Sequence, residues 1–212
     1  MKKKLLIFDC DGVLRSLSWA GIYAAYREIC IFAGKNPDDL FRNLAEFQSW
    51  FSTDWHINVQ NIGGIGREDY PEVGRIFHQI NDPYVETFPW VERILGELSK
   101  EHTITVLSAS FSDSVRKSLA SSSQQISLFI GAENVKHIKP HPEGIYRAIE
   151  AFPTELEEVI MIGDTEMDIL AGKSAGVRTG AVDWGLRKIG NYLVDLNPDH
   201  VFHSPEDFLS IR

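Results

Sequence analysis

The 212-residue sequence contains little cysteine and no long apolar run, and each shortage excludes a class of protein. Cys10 and Cys30 are too few for a disulfide framework or for a zinc site built from cysteine pairs. No apolar run approaches the roughly 18 residues that a transmembrane helix requires. The run after the lysines at positions 2–4 ends at Asp9, which is too early for a signal peptide. These features predict a cytoplasmic protein that has no membrane partner.

Positive charge is also scarce, because 21 lysine and arginine residues stand against 30 aspartate and glutamate residues and leave a net charge of −9. Nucleic acids and anionic membranes are bound by basic surfaces, so this composition argues against both as partners. A small phosphorylated metabolite is compatible with the charge, because a few local cations are enough to bind it. Nothing in the sequence predicts an oligomeric state.

Five short apolar runs predict β-strands, and a weaker sixth run lies near the C-terminus. The runs are nearly continuous rather than alternating, as is typical of parallel strands buried on both faces. Helical patterns lie between the later runs, and this alternation predicts an α/β fold with a doubly wound, Rossmann-like parallel sheet. The predicted strands are residues 4–8, 103–107, 126–130, 158–162, 177–182 and 200–202.

The segment between the first two predicted strands does not fit this alternation. Connections between neighbouring elements usually have roughly 2 to 6 residues. This one instead contains three helical patterns, at residues 18–34, 37–55 and 67–80. We therefore predict a core domain made of residues 1–16 and 89–212, with a helical domain of residues 17–88 inserted into it.

Polar side chains follow the predicted strands at the edge where an open parallel sheet binds its ligands. Taken singly, each has an ordinary explanation as a turn former, a helix cap or a solvated side chain. Their occurrence at corresponding strand ends instead indicates one site. The residues are Asp9 and Asp11 after the first strand, Ser108 after the second, Lys139 after the third, and Asp164 with Asp168 after the fourth.

The chemistry of this set indicates phosphoryl transfer. Several carboxylates around one point require a cation, and an all-oxygen set without thiolate or imidazole selects Mg²⁺. Mg²⁺ held by a few carboxylates usually keeps positions for water and substrate phosphate. Ser108 and Lys139 can donate hydrogen bonds to the remaining phosphate oxygens.

The two pairs of acids have different expected roles. Asp9 and Asp11 point the same way if the strand geometry continues, so one can attack phosphorus while the other donates a proton to the leaving oxygen. Asp164 and Asp168 are four residues apart at a predicted helix start and share one face. One of them can bind the metal, while the other orients it or holds Lys139.

Four motifs in this order resemble those of the haloacid dehalogenase-like hydrolases. They are residues 9–14 (DCDGVL), Ser108 closing TITVLS, Lys139 in KPHPEG, and residues 163–168 (GDTEMD). The resemblance implies that Asp9 is a nucleophile that forms an aspartyl-phosphate, and that Asp11 is the general acid and then the base. The helical insert is similar to the mobile cap of phosphoglycolate phosphatase-like and β-phosphoglucomutase-like members.

The resemblance also implies the ligands of the site. The Mg²⁺ site would consist of Asp9, the main-chain carbonyl of Asp11, Asp164 and, in support, Asp168. The phosphate site would consist of Ser108, Ala109 and Lys139.

The acid at position 11 favours a phosphatase or a phosphomutase over a dehalogenase, because a dehalogenase has no leaving oxygen to protonate. We predict a Mg²⁺-dependent phosphatase that acts on a small phosphomonoester. A sugar-phosphate mutase is one alternative, because residues 64–69 (GIGRED) are similar to the mutase cap segment that presents an arginine to a second phosphate. A non-catalytic regulatory protein that binds metal and phosphate is another.

Cys10 suggests a different nucleophile, because Cys10 and Arg15 are spaced almost as in the phosphate loop of protein tyrosine phosphatases. Only four residues intervene here, where that loop has five. Neighbouring acids also raise the pKa of a thiol, which disfavours the thiolate that would attack. We therefore predict that Cys10 is inert and faces the core.

Other cationic side chains have simpler interpretations. The arginines predicted to contact the substrate from the cap side are Arg15, Arg42 and Arg67. The histidines predicted to be structural or solvated, rather than metal ligands, are His56, His137 and His141.

Overall fold

The computed structural model describes residues 2–184, 193 and 195–211, and a parallel β-sheet forms its centre. The strands are β1 (Leu5–Phe8), β2 (Thr103–Leu107), β3 (Leu128–Ile130), β4 (Val159–Gly163), β5 (Arg178–Val182) and β6 (His200–Phe202). Their order is β3-β2-β1-β4-β5-β6, and every neighbouring pair is parallel. The strand order reverses between β1 and β4, and such a reversal creates a crevice at the carboxyl ends of the strands. The predicted α/β fold is confirmed.

Helices cover both faces of the sheet. They are α5 (Val91–Leu98), α6 (Ser112–Ser118), α7 (Glu143–Ala151) and α8 (Glu166–Ala175). On β1, Leu6 and Phe8 belong to the apolar cluster that includes residues of α5 and α6, whereas Leu5 and Ile7 belong to the cluster with α7 and α8. Because successive side chains of a strand point to opposite faces, a strand covered on both faces is apolar throughout.

The predicted strand boundaries agree with the structure to within one residue except at β3, which begins at Leu128 rather than at residue 126. Ile126 is buried in the same apolar cluster as Phe129. Ile126 is therefore part of the apolar core, although it lies outside the hydrogen-bonded strand. The weak sixth strand is present at its predicted position, His200–Phe202.

The chain consists of two compact units, one made of residues 1–16 and 86–212 and the other of residues 17–85. The second segment of the α/β unit begins at residue 86 rather than at residue 89, because residues 86–88 pair with the end of the first segment. The Ser16 N–H donates to the Glu86 carbonyl at 2.7 Å. The Phe88 N–H donates to the Leu14 carbonyl at 3.1 Å.

The unit of residues 17–85 is helical. It contains α1 (Trp19–Phe32), α2 (Leu44–Trp50), α3 (Trp55–Ile62) and α4 (Tyr70–Asn81). Its core is aromatic, with the fully buried Phe47 at the centre. The rings that pack against Phe47 are those of Trp19, Tyr23, Tyr26, Phe41, Trp50 and Phe51. Within the described part of the chain, no helix combines the length and apolarity needed to cross a bilayer.

Candidate active site

The end of β1 turns sharply after its last residue, and the turn is held by its own backbone. The Asp9 N–H still donates to the Ile162 carbonyl of β4 at 2.8 Å. The Cys10 carbonyl then accepts the N–H groups of Leu14 at 2.9 Å and Arg15 at 3.0 Å. These bonds fix the backbone that carries both Asp9 and Asp11.

Gly12 allows this turn to approach the end of β4. Its φ of +84° lies in the left-handed region that favours glycine. A Cβ atom at this position would lie 2.2 Å from Oδ2 of Asp164. No other residue type fits while Asp164 stays in place, so Gly12 brings the first and fourth motifs together.

Lys139 joins the first, second and fourth motifs. Its side chain is 6% exposed, and Nζ lies 2.8 Å from Oδ1 of Asp9 and 2.5 Å from Oδ1 of Asp168. Nζ also donates to the Leu107 carbonyl at 3.2 Å. An ammonium group has three donors, and these three acceptors occupy them. In this arrangement Lys139 organises the two acids, and the predicted donation to phosphate would require one of these bonds to exchange.

Asp168 is the most enclosed acid of the site, with a fully buried side chain. Oδ1 accepts the Lys139 ammonium, and Oδ2 accepts the Thr165 N–H at 3.0 Å and the Thr165 hydroxyl at 2.7 Å. Thr165 and Asp168 thereby form the capping box that begins α8. Of the two roles predicted for this acid, holding Lys139 is the one that its contacts favour.

The surroundings of the site raise the pKa of both Asp9 and Lys139, for different reasons. Burial raises the pKa of Asp9 to about 7, and the Lys139 ammonium opposes this rise. Burial alone would lower the pKa of Lys139, but the Asp168 and Asp9 carboxylates outweigh it and hold the pKa above its ordinary value. Lys139 is therefore a permanent cation.

The residues of this edge fit a divalent cation. One carboxylate oxygen each from Asp9, Asp164 and Asp168 lies within 4.8 Å of the others, and all three side chains are buried. Three carboxylates and one ammonium leave a formal charge of −2 when all are ionised, which a dication would neutralise. The donors are all oxygens, the set that hard cations such as Mg²⁺ prefer. Because both Asp168 oxygens are already hydrogen-bonded, Asp9 and Asp164 are the side chains best placed to bind the ion directly.

Asp11 is held apart from this cluster by donors on both of its oxygens. Oδ2 accepts the Ser108 hydroxyl at 3.1 Å and the Ser110 hydroxyl at 2.8 Å. Oδ1 accepts Arg15 Nε at 2.7 Å. The side chain is 17% exposed, so it retains an opening to solvent that the other acids lack.

A comparison with known proteins decides the family. The model of the family described as haloacid dehalogenase-like hydrolase matches residues 6–182, which is most of the chain. The chain belongs to the haloacid dehalogenase-like hydrolases. The resemblance carried by the four sequence motifs is thereby confirmed.

Relatives within this family support the assignment. A protein of Bacillus cereus (strain Q1) named pyrophosphatase PpaX is 30% identical over 215 aligned residues, which cover 100% of this chain and 97% of the relative. A protein of Bacillus mycoides with the same name is 33% identical over 137 residues, and this alignment covers 63% of each protein. The chain thus matches less than two thirds of the length of some of these relatives.

Solved structures of haloacid dehalogenase-like hydrolases share the fold. A family member from Streptococcus pneumoniae aligns with a TM-score of 0.74 at 19% identity, over 98% of this chain and 97% of the other. A proposed phosphatase from Clostridium acetobutylicum aligns with a TM-score of 0.79 at 14% identity, over the full length of both chains. At these identities the likeness concerns the fold alone.

The structure corrects the role predicted for Arg15 and qualifies that of Arg42. Arg15 belongs to the α/β unit and is 1% exposed, with its donors directed at Asp11 and at α6, so it is not a cap-side cation. Arg42 is exposed in the helical unit, but its guanidinium forms two bonds with Glu46. Arg67 is exposed at the start of a 3-10 helix, Arg67–Asp69.

The structure also places the remaining predicted phosphate ligands. Ser108 is buried and its hydroxyl donates to Asp11, whereas Ala109 is exposed. Ser110 is a contact of Asp11 that the sequence interpretation missed, although the alternating serines of residues 108–112 (SASFS) offered a signal. The hydrogen bond from Lys139 to the Leu107 carbonyl could not be predicted from the sequence, because every residue type has a main-chain carbonyl.

Cys10 is fully buried in the apolar cluster that contains Leu6 and Phe8 of β1. Burial raises the pKa of its thiol well above the ordinary value. A buried thiol of high pKa does not form the thiolate that a nucleophile requires. Among the residues of the first motif, the acids are the groups that can react.

A second group of potential ligands lies next to Lys139 in sequence. One ligand atom each of His137, His141 and Glu143 lies within 4.8 Å of the others. His141 Nδ1, however, accepts the Glu143 N–H at 3.2 Å, and the Glu143 carboxylate accepts the N–H groups of Lys136 and His137 at 3.0 Å each. These bonds describe a hydrogen-bonded entry into α7.

Proposed function

We propose that this chain is a Mg²⁺-dependent phosphatase that hydrolyses a small phosphomonoester through an aspartyl-phosphate on Asp9. The observation that carries the proposal is the meeting of Asp9, Lys139 and Asp164 around one point, with Asp11 beside it. A carboxylate, a cation site and a second acid are the groups that a two-step displacement at phosphorus requires. Membership of a hydrolase family and relatives named pyrophosphatase support it.

In the proposed reaction, a carboxylate oxygen of Asp9 attacks phosphorus and the bond to the leaving oxygen breaks. Asp11 donates a proton to that oxygen, and it then accepts a proton from the water that hydrolyses the phospho-enzyme. Lys139 holds the Asp9 carboxylate in place and keeps a positive charge beside the developing negative charge. Bound Mg²⁺, held by Asp9 and Asp164, would supply charge neutralisation for the phosphoryl oxygens.

The helical unit of residues 17–85 is proposed as the cap that selects the substrate. An inserted unit can exclude water from the reaction and present residues that the sheet edge lacks. Arg42 and Arg67 remain the candidate recognition residues of this unit, and Arg67 is the one without an ion pair to an acid among the described contacts. The cytoplasmic location likewise stays a prediction.

Pyrophosphate is a second candidate substrate, because the relative that aligns along the whole chain is named a pyrophosphatase. The chemistry at Asp9 would be the same, and the leaving group would be phosphate instead of an alcohol. The two candidates make different demands on Asp11, because a phosphate leaving group departs with less need for a proton than an alcohol does.

Phosphate release from a panel of metabolite phosphomonoesters and pyrophosphate, with and without Mg²⁺, tests the proposal. We expect release from at least one compound that requires Mg²⁺ and that Asp9→Asn abolishes. A bisphosphate-primed isomerisation of a sugar phosphate that outruns phosphate release would favour the mutase. Near wild-type turnover by Asp9→Asn would contradict the assigned nucleophile, and no turnover of any compound would favour the non-catalytic protein.

A further inference from the structure

Arg15 is a buried arginine that lies just outside the first motif, residues 9–14, and has no role in the chemistry assigned to that motif. Its side chain is 1% exposed, and it follows the DCDGVL segment directly. A buried guanidinium is costly unless acceptors surround it, so its contacts indicate what it is there to hold. The strongest contact is the 2.7 Å ion pair between Nε and Oδ1 of Asp11.

The other end of the guanidinium is tied to α6. Nη1 donates to the Ser114 hydroxyl at 3.1 Å and to the Ser118 hydroxyl at 3.1 Å. The planar guanidinium therefore bridges a helix and the Asp11 carboxylate, and its fork geometry fixes direction as well as distance. Lysine, a single flexible point charge, would reproduce the charge but not this bridge.

The opposite oxygen of Asp11 is held by the segment that precedes α6. The hydroxyls of Ser108 and Ser110 both donate to Oδ2, while Arg15 donates to Oδ1. Donors on both oxygens define the plane of the carboxylate and not merely its position. Loss of the Arg15 donor would leave the plane free to rotate about the serine contacts.

We propose that Arg15 is a positioning residue that sets the orientation of the Asp11 carboxylate for proton transfer to the leaving oxygen. The inference rests on the proposed function, because it gives Arg15 a role toward the general acid of that reaction. It replaces the sequence-based prediction that Arg15 contacts the substrate. Arg15 acts through Asp11, and its removal affects most the substrates whose leaving group needs a proton.

The first test compares Arg15→Met and Arg15→Lys with wild type on glycerol phosphate, an alkyl ester, and on 4-nitrophenyl phosphate. For Arg15→Met we expect kcat/KM on the alkyl ester, which reports the step in which the leaving group departs, to fall roughly 10- to 100-fold, within the contribution of general acid catalysis. The loss on the aryl ester should be much smaller, because nitrophenolate departs without a proton. Arg15→Lys should recover part of kcat/KM on the alkyl ester.

Arg116→Met is the matched control, because Arg116 is an exposed arginine of α6 whose guanidinium lies over Phe129 and not on Asp11. It should leave both esters unaffected. An equal loss of kcat/KM on both esters after Arg15→Met would indicate a merely structural role and overturn the inference, as would an unchanged kcat/KM on the alkyl ester. Should Arg15→Met fail to fold, a Ser114→Ala/Ser118→Ala double variant, which removes the α6 anchors, should show the same preference between esters.

A crystal structure of Arg15→Lys or Arg15→Met separates this inference from the proposed function. We expect the plane of the Asp11 carboxylate to rotate about its Oδ2 contacts with the Ser108 and Ser110 hydroxyls; a carboxylate plane that keeps its wild-type orientation would overturn the positioning role. If wild type hydrolyses no compound of the metabolite panel with Mg²⁺, the proposed function fails, and the crystal structure still decides whether Arg15 orients Asp11.

Discussion

Burial separates the three side chains of the segment Asp9–Asp11 into three environments. Cys10 is enclosed by the apolar core, Asp9 is buried against the Lys139 ammonium, and Asp11 is partly exposed among hydroxyl donors and Arg15. Two carboxylates so close in sequence are tolerated because each has its own compensating partners. The same difference fits Asp9 to attack and Asp11 to carry a proton.

Cys10→Ala should leave turnover close to that of wild type, because the thiol is buried and is not ionised. The smaller side chain should lower the free energy of unfolding by about 1–3 kcal/mol, the usual range for a single change in a core. Phosphate release and thermal unfolding, measured on the same preparation, check both parts. Loss of turnover in a folded Cys10→Ala protein would restore the thiolate mechanism.

Gly12→Ala should damage the cation site, because its Cβ would lie 2.2 Å from the Asp164 carboxylate. Gly34→Ala is a matched control, since Gly34 has a φ of +70° but open space around its Cβ position. Both variants should lose about 1–2 kcal/mol of stability through the left-handed backbone. Only Gly12→Ala should also lose stabilisation by Mg²⁺ in thermal unfolding; an equal Mg²⁺ response in the two variants would contradict this account.

Single residues of the site differ in how far the sequence could predict them. Asp9, Asp164 and Lys139 follow strands that the apolar pattern locates, so their meeting at one edge was predictable. The burial of Arg15 was not, because two of its acceptors come from α6, roughly a hundred residues later, and no local pattern pairs that helix with Arg15.

At the scale of elements, the segment that leads into α7 is organised by Glu143. Its carboxylate accepts the N–H groups of Lys136 and His137 and pairs with Arg147. The Lys136 N–H, with Arg147 and the His137 N–H, lowers the pKa of Glu143 to about 2. Because Lys139 lies inside this segment, Glu143 contributes to holding the lysine at the site.

Glu143→Gln should destabilise the protein in a pH-dependent way. The pKa of Glu143 is about 2 in the folded protein, below its ordinary value of 4.5, so its charge contributes stability above pH 4.5 that is lost as pH falls toward 2. The difference in Tm from wild type should therefore be full at pH 7 and shrink in the acid range. Glu150→Gln, an exposed glutamate of α7, is the control; a difference for Glu143→Gln that is constant with pH would refute the role of its charge.

The helices of the two units were predictable to different degrees. α5 precedes a strand, α7 and α8 lie between strands, and α5 and α7 have clear apolar faces, so the approximate positions of these helices could be read from the sequence. α3 was missed, because its start depends on a local cap, in which Asp54 accepts the His56 N–H at 2.9 Å. Asp54 lies near the end of the helical pattern predicted over residues 37–55, so the sequence did not identify it as the N-cap of a separate helix.

For the whole molecule, the local charge at the sheet edge, and not the net charge, determines whether a phosphorylated substrate can bind. The net charge of −9 repels anions in general, yet Lys139 and a bound dication would make one edge of the sheet favourable to phosphate. Without the cation, the carboxylates of this edge repel one another. The folded chain should therefore be more stable with Mg²⁺ than without it.

Mg²⁺ should raise the Tm of wild type, with about 2.7 kcal/mol of stabilisation when its concentration is 100 times Kd. Asp164→Asn should abolish this response, because it removes a carboxylate from the site. Asp113→Asn, an exposed acid of α6, removes the same charge elsewhere and should keep the response. A wild-type Tm that does not depend on Mg²⁺ would show that this edge holds no such ion.

The most direct test of the central claim is to trap the phospho-enzyme by acid quench during turnover with Mg²⁺ and to locate the phosphoryl group by peptide mass spectrometry. We expect a hydroxylamine-sensitive phosphoryl group on Asp9 that Asp9→Asn lacks and Cys10→Ala retains. A phosphoryl group on Cys10 or on Asp11 would contradict the assignment of Asp9 as the nucleophile.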